Sequence, residues 1–352
     1  MSQSALTKPT IDPTPIFEGA RRAFSSELLT AAVSHFKLFD HLAKVGPIPE
    51  TDLGRAIGLE PRPLTVLLTM MRAMALITRD SDGRVIPTPI ATEHLNRGTE
   101  FDISDYIGLS AELPNVKSLV ERLRSNRPAG AKPDEGAAFI FRAGMDSAME
   151  QDDSARRLTM ALAGRAKNVA PYLAEGLPLE NAQVLLDVAG GTGIYAIACL
   201  QRYPHLRAIV WDRPAVLKVA AECAADHGVA DRLECVAGDM FVDAIPGAPD
   251  VVLLSNVLHD WDIPTCEELV NKMMHALPTG GRLVVHDVFL NDALDGPLAL
   301  AEYSTALFTL TEGRAYSAAE YRGWLDAAGL QVGAIIPTLV NCGLMVGTKT
   351  GR

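Results

Sequence analysis

The segment Leu185-Leu186-Asp187-Val188-Ala189-Gly190-Gly191-Thr192-Gly193 constrains the fold of this chain most. An apolar run that ends in a carboxylate and then a glycine-rich turn reads as a strand feeding a helix, the opening unit of a doubly wound α/β sheet. Glycine is needed where the backbone takes φ > 0 or approaches a ligand closely, so Gly190, Gly191 and Gly193 leave room for a nucleoside on the turn. The next landmarks keep the order of such a sheet: Ile209-Val210-Trp211-Asp212 reads as a second strand ending in a carboxylate, and Gly238-Asp239-Met240 follows a third. Each lies at the carboxyl end of a strand, where open α/β sheets bind their ligands.

Asp212 is placed to accept both hydroxyls of a ribose, which suits a dinucleotide and S-adenosylmethionine equally. Gly191-Thr192-Gly193-Ile194-Tyr195-Ala196 even satisfies the loose dinucleotide form G-x-G-x-x-A. Asp187 shifts the balance, because a carboxylate ahead of the glycines suits a cationic amino-acid end and repels a pyrophosphate. Asp239 adds an acceptor for an adenine amino group, and Met240 an adaptable apolar wall.

Further along stands Val257-Leu258-His259-Asp260-Trp261-Asp262, followed by Leu277-Pro278 and Gly280-Gly281-Arg282-Leu283. Together with the Asp187 turn, the Trp211-Asp212 strand end and Gly238-Asp239-Met240-Phe241, this pattern resembles the class I S-adenosylmethionine-dependent O-methyltransferases of small molecules. That family includes the caffeate, flavonoid and acetylserotonin enzymes and bacterial polyketide-tailoring enzymes, and the resemblance spans nearly the whole chain. It implies methyl transfer to a hydroxyl, chiefly phenolic, with His259 as the general base and Asp287 as one of two flanking acids. It also places Asp187, Gly190, Gly191, Gly193, Asp212, Gly238, Asp239, Met240 and Ser255 around S-adenosylmethionine. The base chemistry is sound, since a phenol with a pKa of about 10 must lose its proton and an imidazole near about 6.5 is available to take it.

The chain departs from the family pattern at several positions. Asp287 is shorter than the usual glutamate, and Ala315 stands where the second acid is common, with Glu312 nearby as a substitute. Ala189 replaces the first glycine of the turn, and Ser255 replaces a lysine near the adenine. The missing acid keeps open a relative that binds the cofactor but decarboxylates or hydroxylates. His286 is expected to pack in its strand against a helix, the alternative being a second polar group near the pocket.

Residues 1–100 read as a mostly helical module: a helical stripe from Ser26 to Lys44, a short helix ending near Gly58, a helix from Arg62 to Leu76, and a hairpin at 78–86. This is a winged-helix order, and it raises the alternative of a DNA-binding regulator that senses the cofactor. The helix at 62–76 is apolar, however, with only Arg62 and Arg72 to meet phosphates, and the chain carries a net charge of −11. Affinity for DNA rests on phosphate neutralisation, so nucleic acid is not expected as a partner. In the resembling family this module is a dimerisation domain that closes the partner's substrate pocket, which implies a homodimer.

Residues 101–180 are expected to be helical, with Met145, Leu158, Met160 and Leu162 on one side of the acceptor pocket and Phe308 and Leu310 on the other. Residues 181–352 form the cofactor domain, with strands expected at 184–188, 207–212, 233–237, 250–255 and 282–288 and an antiparallel edge pair at 331–336 and 342–348. No apolar run reaches membrane-spanning length, and Met1-Ser2-Gln3-Ser4 lacks an export pattern, so a cytoplasmic protein without membrane contact is expected. The five cysteines have no metal-ligand spacing and suit reduced thiols, so no metal is implied. A nicotinamide dehydrogenase is the remaining alternative, and Asp187 with Gly238-Asp239-Met240 argues against it.

Overall fold

The computed structural model describes residues 4–127 and 152–351, which divide into a sheet unit of residues 4–17, 152–289 and 318–351 and a helical unit of residues 18–127 and 290–317. Leu290–Ser317 falls in the helical unit.

In the helical unit, the stripe from Ser26 to Lys44 is not one helix. An α-helix Ala23–Thr30 passes into a π-helical turn Ala31–His35, and Lys37 at φ 51° breaks the run before Leu38–Val45 begins. Glu50–Ile57 ends at Gly58, whose φ of 72° supplies the left-handed cap. Pro61–Ala73 follows, and after it the short strands β1 (Ile77–Arg79) and β2 (Val85–Pro87) pair antiparallel. Pro61–Ala73 is buried along most of its length, with Val66, Leu67, Leu68, Met70 and Met71 in the core of the unit. Both of its arginines are engaged internally. Arg62 donates to the carbonyls of Gly313, Phe308 and Thr311 and stacks over the Phe308 ring, while Arg72 pairs with Glu50 at 2.8 Å.

The sheet unit carries eight strands: β3 (Val184–Val188), β4 (Arg207–Asp212), β5 (Leu233–Ala237), β6 (Val251–Ser255), β7 (Arg282–Val288), β8 (Leu330–Val332), β9 (Ile336–Pro337) and β10 (Cys342–Lys349). Their spatial order is β5-β4-β3-β6-β7-β10-β8, with β9 also on β10. The first five are parallel, and β10 runs antiparallel to β7 and to its outer neighbours. The central strands β3, β6 and β7 are almost wholly buried because helices cover both faces, which is why they read as continuous apolar runs rather than alternating ones. Leaving β5, the chain crosses back over β3 to form β6, so the order reverses between β3 and β6. The carboxyl ends there open a crevice. Among the described residues, no helix is long and apolar enough to cross a membrane.

Candidate functional site

The glycine turn after β3 is built as a cradle. Gly191 (φ 60°) and Gly193 (φ 68°) take left-handed conformations, and so does Ala189 at φ 51°, a conformation that an alanine adopts only under strain. A Cβ added at Gly190 would sit 2.8 Å from the Asp187 carboxyl carbon, so the glycine is what lets that carboxylate lie beneath the turn. Asp212, at the end of β4, braces the turn: its Oδ2 accepts the Gly191 N–H at 2.9 Å and its Oδ1 the Arg213 N–H at 2.7 Å.

Asp187 differs from every other carboxylate of the crevice. It is fully buried, and neither of its oxygens has a hydrogen-bond partner. Burial, followed by the neighbouring Asp212 charge, pushes its carboxyl up to about 7, against a smaller lowering pull from the Ala196 amide. Buried polar atoms are almost always paired, so this orphaned carboxylate fits a cationic ligand group such as the ammonium of an amino-acid moiety.

The segment after β5 completes this end. The Gly238 N–H bonds the Asp212 carbonyl at 3.1 Å, and a Cβ there would drive into the Trp211 indole. Asp239 accepts the Phe241 N–H through Oδ1 at 2.8 Å and is exposed, and Met240 is half-buried beside it. Lys272 ties the loop down by donating to the carbonyls of Met240 and Asp243 at 2.8 and 2.7 Å.

The second cluster lies at the ends of β6 and β7. Asn256 turns the chain with φ 55°, and the 3-10 turn Leu258–Asp260 presents His259. His259 Nδ1 lies 2.7 Å from Asp287 Oδ1, and both residues are buried. On the other ring nitrogen, Nε2, the Asp260 carboxylate stands at 3.5 Å. Burial disfavours the imidazolium, but Asp287 and Asp260 outweigh it and hold the His259 pKa above its ordinary value. For Asp287, burial would raise the carboxyl, yet His259, the Val288 amide and the Tyr321 hydroxyl together bring it below the ordinary carboxylate range.

Several residues near His259 carried no signal in the sequence. Tyr321, on the helix Ala318–Ala327, donates its hydroxyl to Asp287 Oδ2 at 2.9 Å. Arg165, on the long helix Asp152–Gly176, reaches Asn256 Oδ1 at 2.6 Å and Cys342 Sγ at 2.8 Å. His286 does more than pack. Its Nδ1 meets the Ser255 hydroxyl at 2.8 Å and its Nε2 the Thr338 hydroxyl at 3.1 Å, and burial, with Arg165 adding to it, pushes the ring down to about 3. The Ser255 hydroxyl is thus engaged by protein.

The expected acceptor-lining residues are not gathered in the same way. Leu158 is half-buried on Asp152–Gly176, Met160 and Leu162 are exposed on the same helix, and Met145 lies outside the described residues. In the helical unit, Phe308 belongs to the core and Leu310 is exposed. Ala315 and Glu312 also lie in that unit, where Ala315 is fully buried and donates its N–H to Ser304 Oγ.

Residues 132–331 match the O-methyltransferase domain family. The 3-hydroxy-5-methyl-1-naphthoate 3-O-methyltransferase of Streptomyces sahachiroi is 30% identical over 319 residues, 90% of this chain and 89% of that one. This chain belongs to the S-adenosylmethionine-dependent O-methyltransferases. The acetylserotonin O-methyltransferase of Bos taurus is 30% identical over 322 residues, 87% of this chain and 89% of that protein. Among solved structures, an O-methyltransferase family 2 protein from Planctomyces limnophilus in complex with apigenin is 46% identical, covers 99% of both chains and superposes with a TM-score of 0.90. The cofactor of the chain is S-adenosylmethionine. The dinucleotide reading of Gly191–Ala196 is set aside.

Proposed function

We propose that this O-methyltransferase methylates a phenolic hydroxyl of a small aromatic or polyketide-like acceptor, with His259 as general base. The observation that carries the reading is the 2.7 Å contact between His259 Nδ1 and Asp287 Oδ1. With Nδ1–H donated to the carboxylate, Nε2 is the nitrogen that accepts a proton. Asp287 sets that tautomer and stabilises the imidazolium formed, which fits the opposite pKa directions of the two groups. S-adenosylmethionine supplies an electrophilic methyl group on a sulfonium. Asp187 holds its ammonium, Asp212 its ribose, and Gly190, Gly191, Gly193, Gly238, Asp239, Met240 and Ser255 shape the rest of its site. Proton removal by such a base typically gives about a hundred- to ten-thousandfold.

The acceptor class draws on the relatives, whose names specify a naphthoate hydroxyl and acetylserotonin, and on the apigenin complex. Leu158 and Leu162, on the helix Asp152–Gly176 of the sheet unit, are candidate walls for such a ring. Incubating the protein with S-adenosylmethionine and a panel of phenols tests the reading by mass spectrometry. A gain of one methyl on the phenol supports it, and decarboxylated or hydroxylated product without methyl gain overturns it.

The organisation proposed is a winged-helix dimerisation module over 1–100, a helical segment over 101–180 and a cofactor domain from 181, working as a cytoplasmic homodimer. Phe101, Ile103, Tyr106, Leu109 and Leu113 are all exposed within a short stretch, an apolar surface that favours self-association. Nucleic acid is disfavoured because the helix Pro61–Ala73 is buried and Arg62 and Arg72 are engaged internally. Light scattering across a dilution series checks the dimer.

A further inference from the structure

We propose that Tyr321 is a positioning residue for methyl transfer, setting the basicity of His259 through the carboxylate of Asp287. The inference rests on His259 as base and extends it by one residue.

Three elements far apart in sequence converge here: the turn Leu258–Asp260, strand β7 and the helix Ala318–Ala327. Asp287 has two oxygens to satisfy in a fully buried place. Oδ1 accepts from His259 Nδ1 at 2.7 Å and from the Val288 N–H at 2.8 Å, and Oδ2 accepts from the Tyr321 hydroxyl at 2.9 Å. The tyrosine is itself fully buried, and its ring is held edge-to-face by Phe289 and Trp324 at centroid distances of 5.2 and 5.3 Å. Its hydroxyl is therefore aimed by packing at a charged acceptor.

A hydrogen bond donated to a carboxylate lowers its proton affinity, and a less basic carboxylate pulls less on the imidazole proton. Tyr321 thus works against an over-stabilised imidazolium. The other groups bearing on the pair are Asp260, which stabilises the imidazolium, Arg165, which opposes it, and neutral His286 next to Asp287. Unlike them, the Tyr321 hydroxyl bonds the orienting carboxylate without touching the base, as the Val288 amide does from the backbone.

The test is the Tyr321→Phe variant, which keeps the ring and its packing. On the acid side of the profile we expect kcat to fall by up to about tenfold, because more of His259 is held protonated, with acceptor KM and S-adenosylhomocysteine affinity within about twofold of wild type. The acid limb of kcat/KM should move to higher pH. In an Asp287→Asn background the same substitution should add nothing. A second variant carries 3,5-difluorotyrosine at position 321. Its stronger donor hydroxyl should move the acid limb to lower pH, and it retains the native shape if the Phe variant fails to fold. An unmoved limb in a folded variant, with His259→Ala inactive, overturns the role of Tyr321 and leaves the base in place. Full turnover in His259→Ala overturns the base assignment itself.

Discussion

Asp187 and Asp287 are two buried carboxylates at the carboxyl edge of the same parallel sheet, both fully shielded from solvent, and their surroundings are opposite. Asp287 receives hydrogen bonds from His259, the Val288 amide and Tyr321 and is held below the ordinary carboxylate range. Asp187 receives none and is pushed to about 7 by burial and by Asp212. A carboxylate whose lone pairs are filled by protein is finished machinery, charged and oriented before any ligand arrives. One left empty at the same depth is open to a cationic partner, which in the proposed function is the ammonium of the cofactor. In the proposed function Asp287 serves proton transfer and Asp187 captures the cofactor, so the two carboxylates should respond differently to the same changes.

Removing the base should have the largest effect. His259→Ala is expected to lower kcat by about a hundred- to ten-thousandfold while leaving S-adenosylhomocysteine affinity unchanged in calorimetric titration. Asp287→Asn should follow, with kcat reduced by about a hundredfold, because an amide cannot stabilise the imidazolium and can impose the wrong tautomer. Its cofactor affinity should be that of wild type.

Asp187→Asn is expected to do the reverse. S-adenosylmethionine affinity should fall by about ten- to a hundredfold, the loss of a charge-assisted contact, whereas the ligand-free protein should become more stable at pH 8. The sign follows from linkage. The folded value of about 7 lies above the ordinary 3.8, so between those values the native state holds a proton that the unfolded chain has lost. Stability therefore declines as pH rises through that window, and the neutral amide removes the decline. Thermal denaturation at pH 5 and pH 8 measures it. A lower melting temperature for Asp187→Asn at pH 8 would show that the carboxylate is paired in solution and would erase the contrast.

The smallest expected effect is in pH dependence. Affinity for S-adenosylmethionine should tighten from pH 6 to pH 8 as Asp187 ionises, by at most about tenfold per unit, and should be flat in Asp187→Asn. The acid limb of kcat/KM should instead follow His259 and lie above the ordinary imidazole value of 6.5, since the raised pKa keeps the base protonated to higher pH.

Much of this was readable without coordinates. The strands expected at 184–188, 207–212, 233–237 and 282–288 are β3, β4, β5 and β7, and the reversed edge is there as β10, whereas the strand expected at 331–336 is split into the short β8 and β9. Strands buried on both faces are written as unbroken apolar runs, and their ends are marked by residues that do chemistry. Local effects were legible less often. Nothing in the sequence gives Ala189 a left-handed backbone or breaks the Ser26–Lys44 stripe at Lys37. His286 looked like a packing residue because one apolar strand says nothing of Ser255 on β6 or of Thr338.

The order of the sheet and the glycine turn are written in residue types at short spacing, and the resemblance to the family singles out Asp187, Asp212, His259 and Asp287 as candidates. Only the tertiary structure decided which carboxylate is saturated and which is left open. The donors that fill Asp287 come from positions 28 and 34 residues away as well as from its neighbour. The emptiness around Asp187 is set by the packing of the turn above it. Burial and hydrogen-bond partners set the charge state of a carboxylate, and both are properties of the assembled fold.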